Sequence, residues 1–308
     1  MKPIERIAII GAGAIGTAYA SMLYAMSKDS VSFIAGESRY SELKRNGVVV
    51  NGKHYDIPIY LPGYIPEPPD LIIVAVKHYH LNSAISDLVG SVGSGTIILS
   101  FLNGIESEEV IGSEFGMEKV LYSIVLGIDA VRLGNSTIYN NQGRVFFGEA
   151  NNDVLTMRVQ YVQNLFERAG INYVIPEDMI RTLWWKFMIN VGINQSSAAL
   201  KSPYSRFQVS GEARWLMDSA MREVMLIAQA QGIDLQEEDI ENWHTVLSKL
   251  SPNGKTSMLQ DVEAGRKTEV EMFAGKIIAL GRRFEIPTPV NEQLFRQIVK
   301  ITQDFPSG

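Results

Sequence analysis

The sequence predicts a two-part α/β protein, in which a parallel sheet flanked by helices is followed by an all-helical domain. Three observations carry this reading. Short β-branched runs alternate with helical patterns through the first half of the 308 residues. After about Pro176 only helical spacing continues. The composition, 46% hydrophobic and 20% charged, is that of a chain able to bury substantial cores. The length suits two domains, expected at residues 1–176 and 177–308.

Residues 4–10, 31–35, 71–76, 96–101 and 120–125 read as strands. The second, third and fourth are apolar almost throughout, as strands covered on both faces are. Helical patterns at 14–27, 39–46 and 78–88 lie between them and produce repeated βαβ units. Pro58, Pro62, Pro66, Pro68 and Pro69 mark an irregular approach to the third strand. Short strand patterns around Thr137 and Val145 suggest an antiparallel hairpin at the sheet edge. Helical spacing then covers 179–200, 212–231, 236–250, 258–264, 270–284 and 291–302. Within 212–231, Met217, Met221, Val224 and Ala228 form one stripe, which is read as core packing.

Residues 7–27 carry no charge and follow Lys2 and Arg6, which imitates a secretory signal. Glu5 and the glycines at 11, 13 and 16 argue instead for a buried strand, a tight turn and a helix. A cytoplasmic protein with no membrane partner is expected. A net charge of −6 and a pI near 5.4 argue against nucleic acid as a partner. Without cysteine there is no thiolate catalysis and no thiolate metal site. His78 and His80, two apart on a helix, would point away from each other, so no metal is expected.

The chemistry-bearing motifs begin with Gly11, Ala12, Gly13, Ala14, Ile15 and Gly16, placed after a strand and opening a helix. Such glycines allow a tight turn, close approach of a pyrophosphate, and close helix–strand packing. The segment after the second strand holds both Glu37, an acid suited to a ribose, and Arg39, suited to a 2′-phosphate, so spacing alone leaves NAD and NADP open. Lys77 and Asn103 follow the third and fourth strands, at the sheet edge where ligands bind, although taken alone they also fit a solvated lysine at a strand exit and a plain Asn-Gly turn. Lys186, Asn190 and Asn194 recur every four residues along an otherwise apolar helix. Buried polar groups at that spacing need partners, which either an internal hydrogen-bond network or a polar substrate in an interdomain cleft would supply; the substrate-facing ladder is the expectation. Ser257 and Glu269 lie in segments that also read as capping boxes, Ser257-x-x-Gln260 and Thr268-x-x-Glu271.

These motifs together resemble the ketopantoate reductase family, of the 6-phosphogluconate-dehydrogenase-like group. The match rests on the glycine loop, Lys77, Asn103-Gly104, the WxKxxxNxxxN pattern at Lys186, and Ser257-Met-Leu-Gln-Asp with Thr268-Glu269. The resemblance implies a Rossmann-type NADP-binding domain, a helical substrate domain, and reduction of 2-dehydropantoate to pantoate by NADPH. It implies that Lys186 protonates the carbonyl, and that Asn190, Asn194 and Ser257 hold the hydroxyl and carboxylate. Lys77 and Asn103 would lie between cofactor and substrate, and Glu269 near the nicotinamide ribose or the lysine. Many members carry arginine where this chain has Gly36, which leaves the 2′-phosphate to Arg39 or another basic residue and keeps NADH as the alternative cofactor. The partners expected are a small keto acid and, as candidate assembly, a homodimer. A dehydrogenase for another small keto or hydroxy acid, and a non-catalytic dinucleotide sensor, are the competing readings.

Overall fold

The computed structural model describes residues 3–303 and residue 305. The chain divides into two compact units, Met1–Ile180 and Arg181–Gly308. In the first unit, strands β1 (Ile7–Ile10), β2 (Val31–Ile34), β6 (Leu71–Val74), β7 (Ile97–Ser100) and β8 (Val120–Ile128) stand close to the predicted runs. Between β2 and β6 lie three short strands, β3 (Val48–Val50), β4 (Lys53–Tyr55) and β5 (Ile59–Tyr60). Later come β9 (Val131–Leu133), β10 (Ser136–Ile138), β11 (Gln142–Gly148) and β12 (Tyr173–Val174). The main sheet has the order β12-β11-β8-β7-β6-β1-β2-β5 and runs parallel from β5 to β8, with β11 antiparallel to β8.

Side chains alternate across this sheet. Ile7, Ile9, Leu71, Ile73 and Leu99 enter one core with Tyr19 and Leu23 of α1 (Ala14–Met26), whereas Ala8, Ile10, Ile72, Val74 and Ile98 enter the other. The second core also takes Leu81, Ala84, Ile85 and Leu88 from α3 (Leu81–Leu88). Both faces are thus dry, which is why these strands read as continuous apolar runs. Helix α2 (Glu37–Asn46) follows β2, and α4 (Ser107–Phe115) and α5 (Met157–Ala169) complete the cover.

The expected edge hairpin resolves into two different pairings. β9 and β10 do form a hairpin, but in a separate four-stranded sheet ordered β4-β3-β10-β9. The strand at Val145 joins β8 of the main sheet instead. The Thr17 and Thr137 hydroxyls, 2.7 Å apart, tie the small sheet to α1. The predicted helix at 78–88 also divides, because His78–His80 forms a 3₁₀ turn before α3 begins.

The second unit is helical. α6 (Met179–Ile189) runs into a π-helix, Asn190–Asn194, and then into α7 (Gln195–Ala199) and the short α8 (Ser205–Gln208). α9 (Glu212–Ala230), α10 (Glu237–Leu247) and α11 (Ser257–Glu263) follow. A second π-helix, Glu271–Gly275, leads into α12 (Lys276–Phe284), and α13 (Pro289–Thr302) closes the unit. The methionine stripe of α9 is fully buried, as a core stripe should be. A Cβ on Gly192 would stand 2.5 Å from Met221 Cγ, so glycine lets the first π turn pack directly on that stripe. Among the described residues, no helix is long and apolar enough to cross a membrane.

Candidate active site

In the first unit β1 lies between β2 and β6, and the chain leaves it toward opposite ends of the sheet. Ligands collect at the carboxyl ends of strands around such a switch point. The glycine loop leaves β1 there, Gly36 and Arg39 follow β2, Lys77 follows β6, and Asn103 follows β7. The three loop glycines meet three demands. Gly11 has φ +106°, and a Cβ on it would lie 2.5 Å from the Ala75 backbone, held there by the Ala75 N–H donating to Ile10 O at 2.8 Å. A Cβ on Gly16 would collide with Gly11 O, so α1 presses on the turn. At Gly13 a Cβ would meet nothing nearer than Ala75 O at 4.0 Å, which leaves the start of α1 open to a close-lying phosphate.

Two arginines close on this loop. Arg39 Nη2 and Arg132 Nη1 each donate to Ala12 O at 2.5 Å, the second from 120 positions along the chain. Glu42 accepts from Arg39 at 2.5 Å and stands 3.9 Å from Arg132. Burial and the neighbouring Arg39 both lower the Arg132 pKa, while Glu42 opposes them. A pair of guanidiniums held together with one carboxylate carries surplus positive charge beside a loop shaped for a dinucleotide. Sequence reasoning found Arg39 and missed Arg132, because only the small sheet carries β9 back to the loop. A Cβ on Gly36 would stand 3.4 Å from Asp87 Oδ2, a carboxyl whose pKa is raised by burial. Lys77 is half-buried at the start of the 3₁₀ turn, and Asn103 is half-buried in the bend after β7.

The second unit carries the other predicted residues. Lys186 and Asn194 are only 6% and 7% exposed, and Asn190 is half-buried. The expected unbroken helix is corrected here, since its register changes at Asn190. In an α-helix a residue four positions on overshoots a full turn by about 40°. In the wider π turn a residue four on stops short of one. The two offsets oppose each other along Lys186, Asn190 and Asn194, so the ladder keeps its direction better than a straight α-helix would. Phe187 packs on Phe273 of the second π-helix, with ring centroids 6.2 Å apart.

Ser257 and Glu269 differ in setting. Ser257 is exposed at the first position of α11 and caps nothing, so the capping-box reading is corrected. Thr256 is the cap; its Oγ1 accepts from Leu259 N at 3.2 Å and lies 2.6 Å from Ser197 Oγ on α7. With two hydroxyl residues adjacent, that contact to α7 decides which one caps. Glu269 is 7% exposed, and its carbonyl accepts the N–H groups of Met272 and Phe273 as the second π-helix begins. Thr268 and Glu271 form no capping box there, because the helix opens at Val270.

Two family models match the chain. Residues 7–152 match "Ketopantoate reductase PanE/ApbA", and residues 178–302 match the C-terminal model of the same family. The 2-dehydropantoate 2-reductase of Aquifex aeolicus (strain VF5) is 25% identical over 303 residues, covering 96% of each chain. Among solved structures, D-mandelate dehydrogenase with NADH and anilino(oxo)acetate superposes with a TM-score of 0.88 at 22% identity, covering 97% of this chain and 99% of that one. The dimeric ketopantoate reductase of Staphylococcus aureus gives 0.82 at 21% identity, covering 98% and 100%. At those identities the two structures speak for the fold.

Proposed function

Because this chain belongs to the ketopantoate reductase family, we propose that it reduces 2-dehydropantoate to pantoate with NADPH. It is an oxidoreductase with a nicotinamide dinucleotide cofactor and a small-molecule substrate. What supports the finer reading is the buried Lys186, followed at four-residue spacing by Asn190 and Asn194 across a π turn.

The first unit fits the dinucleotide. Gly11–Gly16 would take the pyrophosphate at the start of α1, with room at Gly13, and Arg39 with Arg132 would take a 2′-phosphate. When bound, the reduced nicotinamide supplies a hydride. Lys186 carries the proton at Nζ and releases it to the ketone oxygen as negative charge grows there. That charge is larger in the transition state than in the ground state, so a fixed ammonium lowers the barrier rather than merely tightening binding. Asn190 and Asn194 donate amide N–H groups to the substrate hydroxyl and carboxylate, and Ser257 adds a hydroxyl from the exposed start of α11. Glu269 is the buried carboxylate assigned to the lysine or the ribose. Lys77 and Asn103 complete the cofactor side.

NADPH oxidation with ketopantoate, with NADH and a panel of other 2-keto acids in parallel, tests this reading. The expected result is turnover of ketopantoate with NADPH preferred. Faster turnover of another keto acid would move the substrate, and equal use of NADH would move the cofactor. Assembly as a homodimer follows the S. aureus protein, and sedimentation at assay concentration checks it.

A further inference from the structure

Gln195, the residue after Asn194, holds both π turns with one side chain. It is fully buried. Its Nε2 donates to Val191 O at 2.8 Å inside the first π-helix, and its Oε1 accepts from Ala274 N at 3.0 Å inside the second. In a continuous α-helix Val191 O would receive the backbone N–H of Gln195, and the Ala274 N–H would go to Val270 O. Here the Gln195 backbone N–H goes to Gly192 O. The side-chain amide thus serves one ladder group in each widened turn, at a depth where an unpaired group costs about 1–3 kcal/mol.

The direction of this amide is set by further residues. The Glu223 carboxylate accepts the N–H groups of Val290 and Asn291 at 2.8 and 2.9 Å, capping the start of α13. It also accepts Asn291 Nδ2 at 2.7 Å, while Ala220 O takes the same nitrogen at 3.2 Å. An acceptor-only carboxylate forces Asn291 to turn its nitrogen that way, which leaves Oδ1 for Gln195 Nε2 at 3.1 Å. That in turn points Gln195 Oε1 at Ala274. The chain from Glu223 through Asn291 to Gln195 therefore admits one orientation of each amide.

We infer that Gln195 is a positioning residue for the reduction. It locks the π turn carrying Asn190 and Asn194 to the π turn that follows Glu269, so the ladder and the buried acid are held in one register. Straight α-helices over an apolar residue would pack with less buried polar surface. Both departures from the α ladder instead adjoin residues proposed to act on substrate, where π turns commonly occur. The inference rests on the reductase reading of the ladder.

Gln195→Met keeps the length and removes both bonds. The expected result is a fall of about ten- to a hundredfold in kcat/KM for ketopantoate, the scale of an ångström-sized misplacement. NADPH affinity, read by fluorescence titration, should stay unchanged, since the glycine loop lies in the other unit. Gln195→Glu is the conservative partner, because a protonated carboxyl both donates and accepts. Its activity relative to wild type should recover as pH falls. A Gln195→Met enzyme with a lower Tm but wild-type kcat and KM overturns the inference. Should that variant not fold, a pH-independent Gln195→Glu to wild-type ratio overturns it instead. A wild-type chain that turns over no keto acid is a separate result, and sinks the reductase reading itself.

Discussion

The glycine loop after β1 and the polar ladder on α6 are both short motifs at a helix, yet they are built by opposite means. The loop works through backbone: Gly11 accepts a φ of +106°, Gly16 lets α1 press on the turn, and Gly13 leaves space. The φ of Gly11 and the close approach of Gly16 to Gly11 O lie within the motif, while the Ala75 backbone, Arg39 and Arg132 meet it from elsewhere in the chain. The ladder works through side chains held in place from far away. Lys186, Asn190 and Asn194 sit on a helix that runs into a π turn, which packs on Met221 and is stitched by Gln195 to a segment 79 positions on. The more local motif survives more changes elsewhere, whereas a ladder of this kind depends on its whole unit.

The largest expected effect separates the two directly. Lys186→Ala should lower kcat by about 10²–10⁴-fold, the usual contribution of a general acid. NADPH binding should persist through the loop. Steady-state kinetics with a parallel cofactor titration decide it, and a folded variant keeping more than about a tenth of wild-type kcat would send the proton to another donor, Lys77 first.

The next effect tests the loop side. An arginine–phosphate contact contributes about 1.5–3 kcal/mol, so Arg39→Ala or Arg132→Ala should lower the NADPH over NADH preference by about ten- to a hundredfold. The change should appear in KM for NADPH and leave NADH kinetics nearly as they were. If Arg132→Ala leaves the ratio intact while Arg39→Ala lowers it, the 2′-phosphate is read by one arginine.

Asn194→Ala should act more mildly, raising KM for the keto acid by about tenfold, as the loss of one hydrogen bond to a charged group would. Cofactor affinity should not move. A variant that loses only Tm would make Asn194 a core residue.

The smallest effect is a control within the first unit. Burial alone would raise the Glu149 carboxyl, but hydrogen bonds from Arg158 and Thr156 outweigh it and hold the group below the usual carboxylate range. A depressed folded pKa means the stabilisation is present above the unfolded pKa of about 4.3 and is lost as pH falls through the folded value. Glu149→Gln should cost about 1 kcal/mol near neutrality and flatten the stability profile below about pH 4, with kcat unchanged. Denaturant melts across that pH range measure it, and a kcat effect would mean the two units are not energetically separate.

What the sequence determined by itself is what is local in the chain. The central strands were legible because burial on both faces leaves uninterrupted apolar runs such as Leu71–Val74, and the glycine loop because its spacing encodes its own turn. The polar spacing of Lys186, Asn190 and Asn194 stood out from an apolar helix for the same reason. Tertiary structure decided the rest. Helix spacing cannot reveal a π turn, since the extra residue per turn is stabilised by Gln195 and by packing on Met221 rather than by local propensity. Thr256 caps α11 in place of Ser257 because Ser197 meets it from α7. Arg132 reaches Ala12 only because β9 pairs within the small sheet, and no residue near it in the chain carries that information. Where a group's environment comes from contacts distant in sequence, the pattern of residues names the group and the fold alone assigns its neighbours.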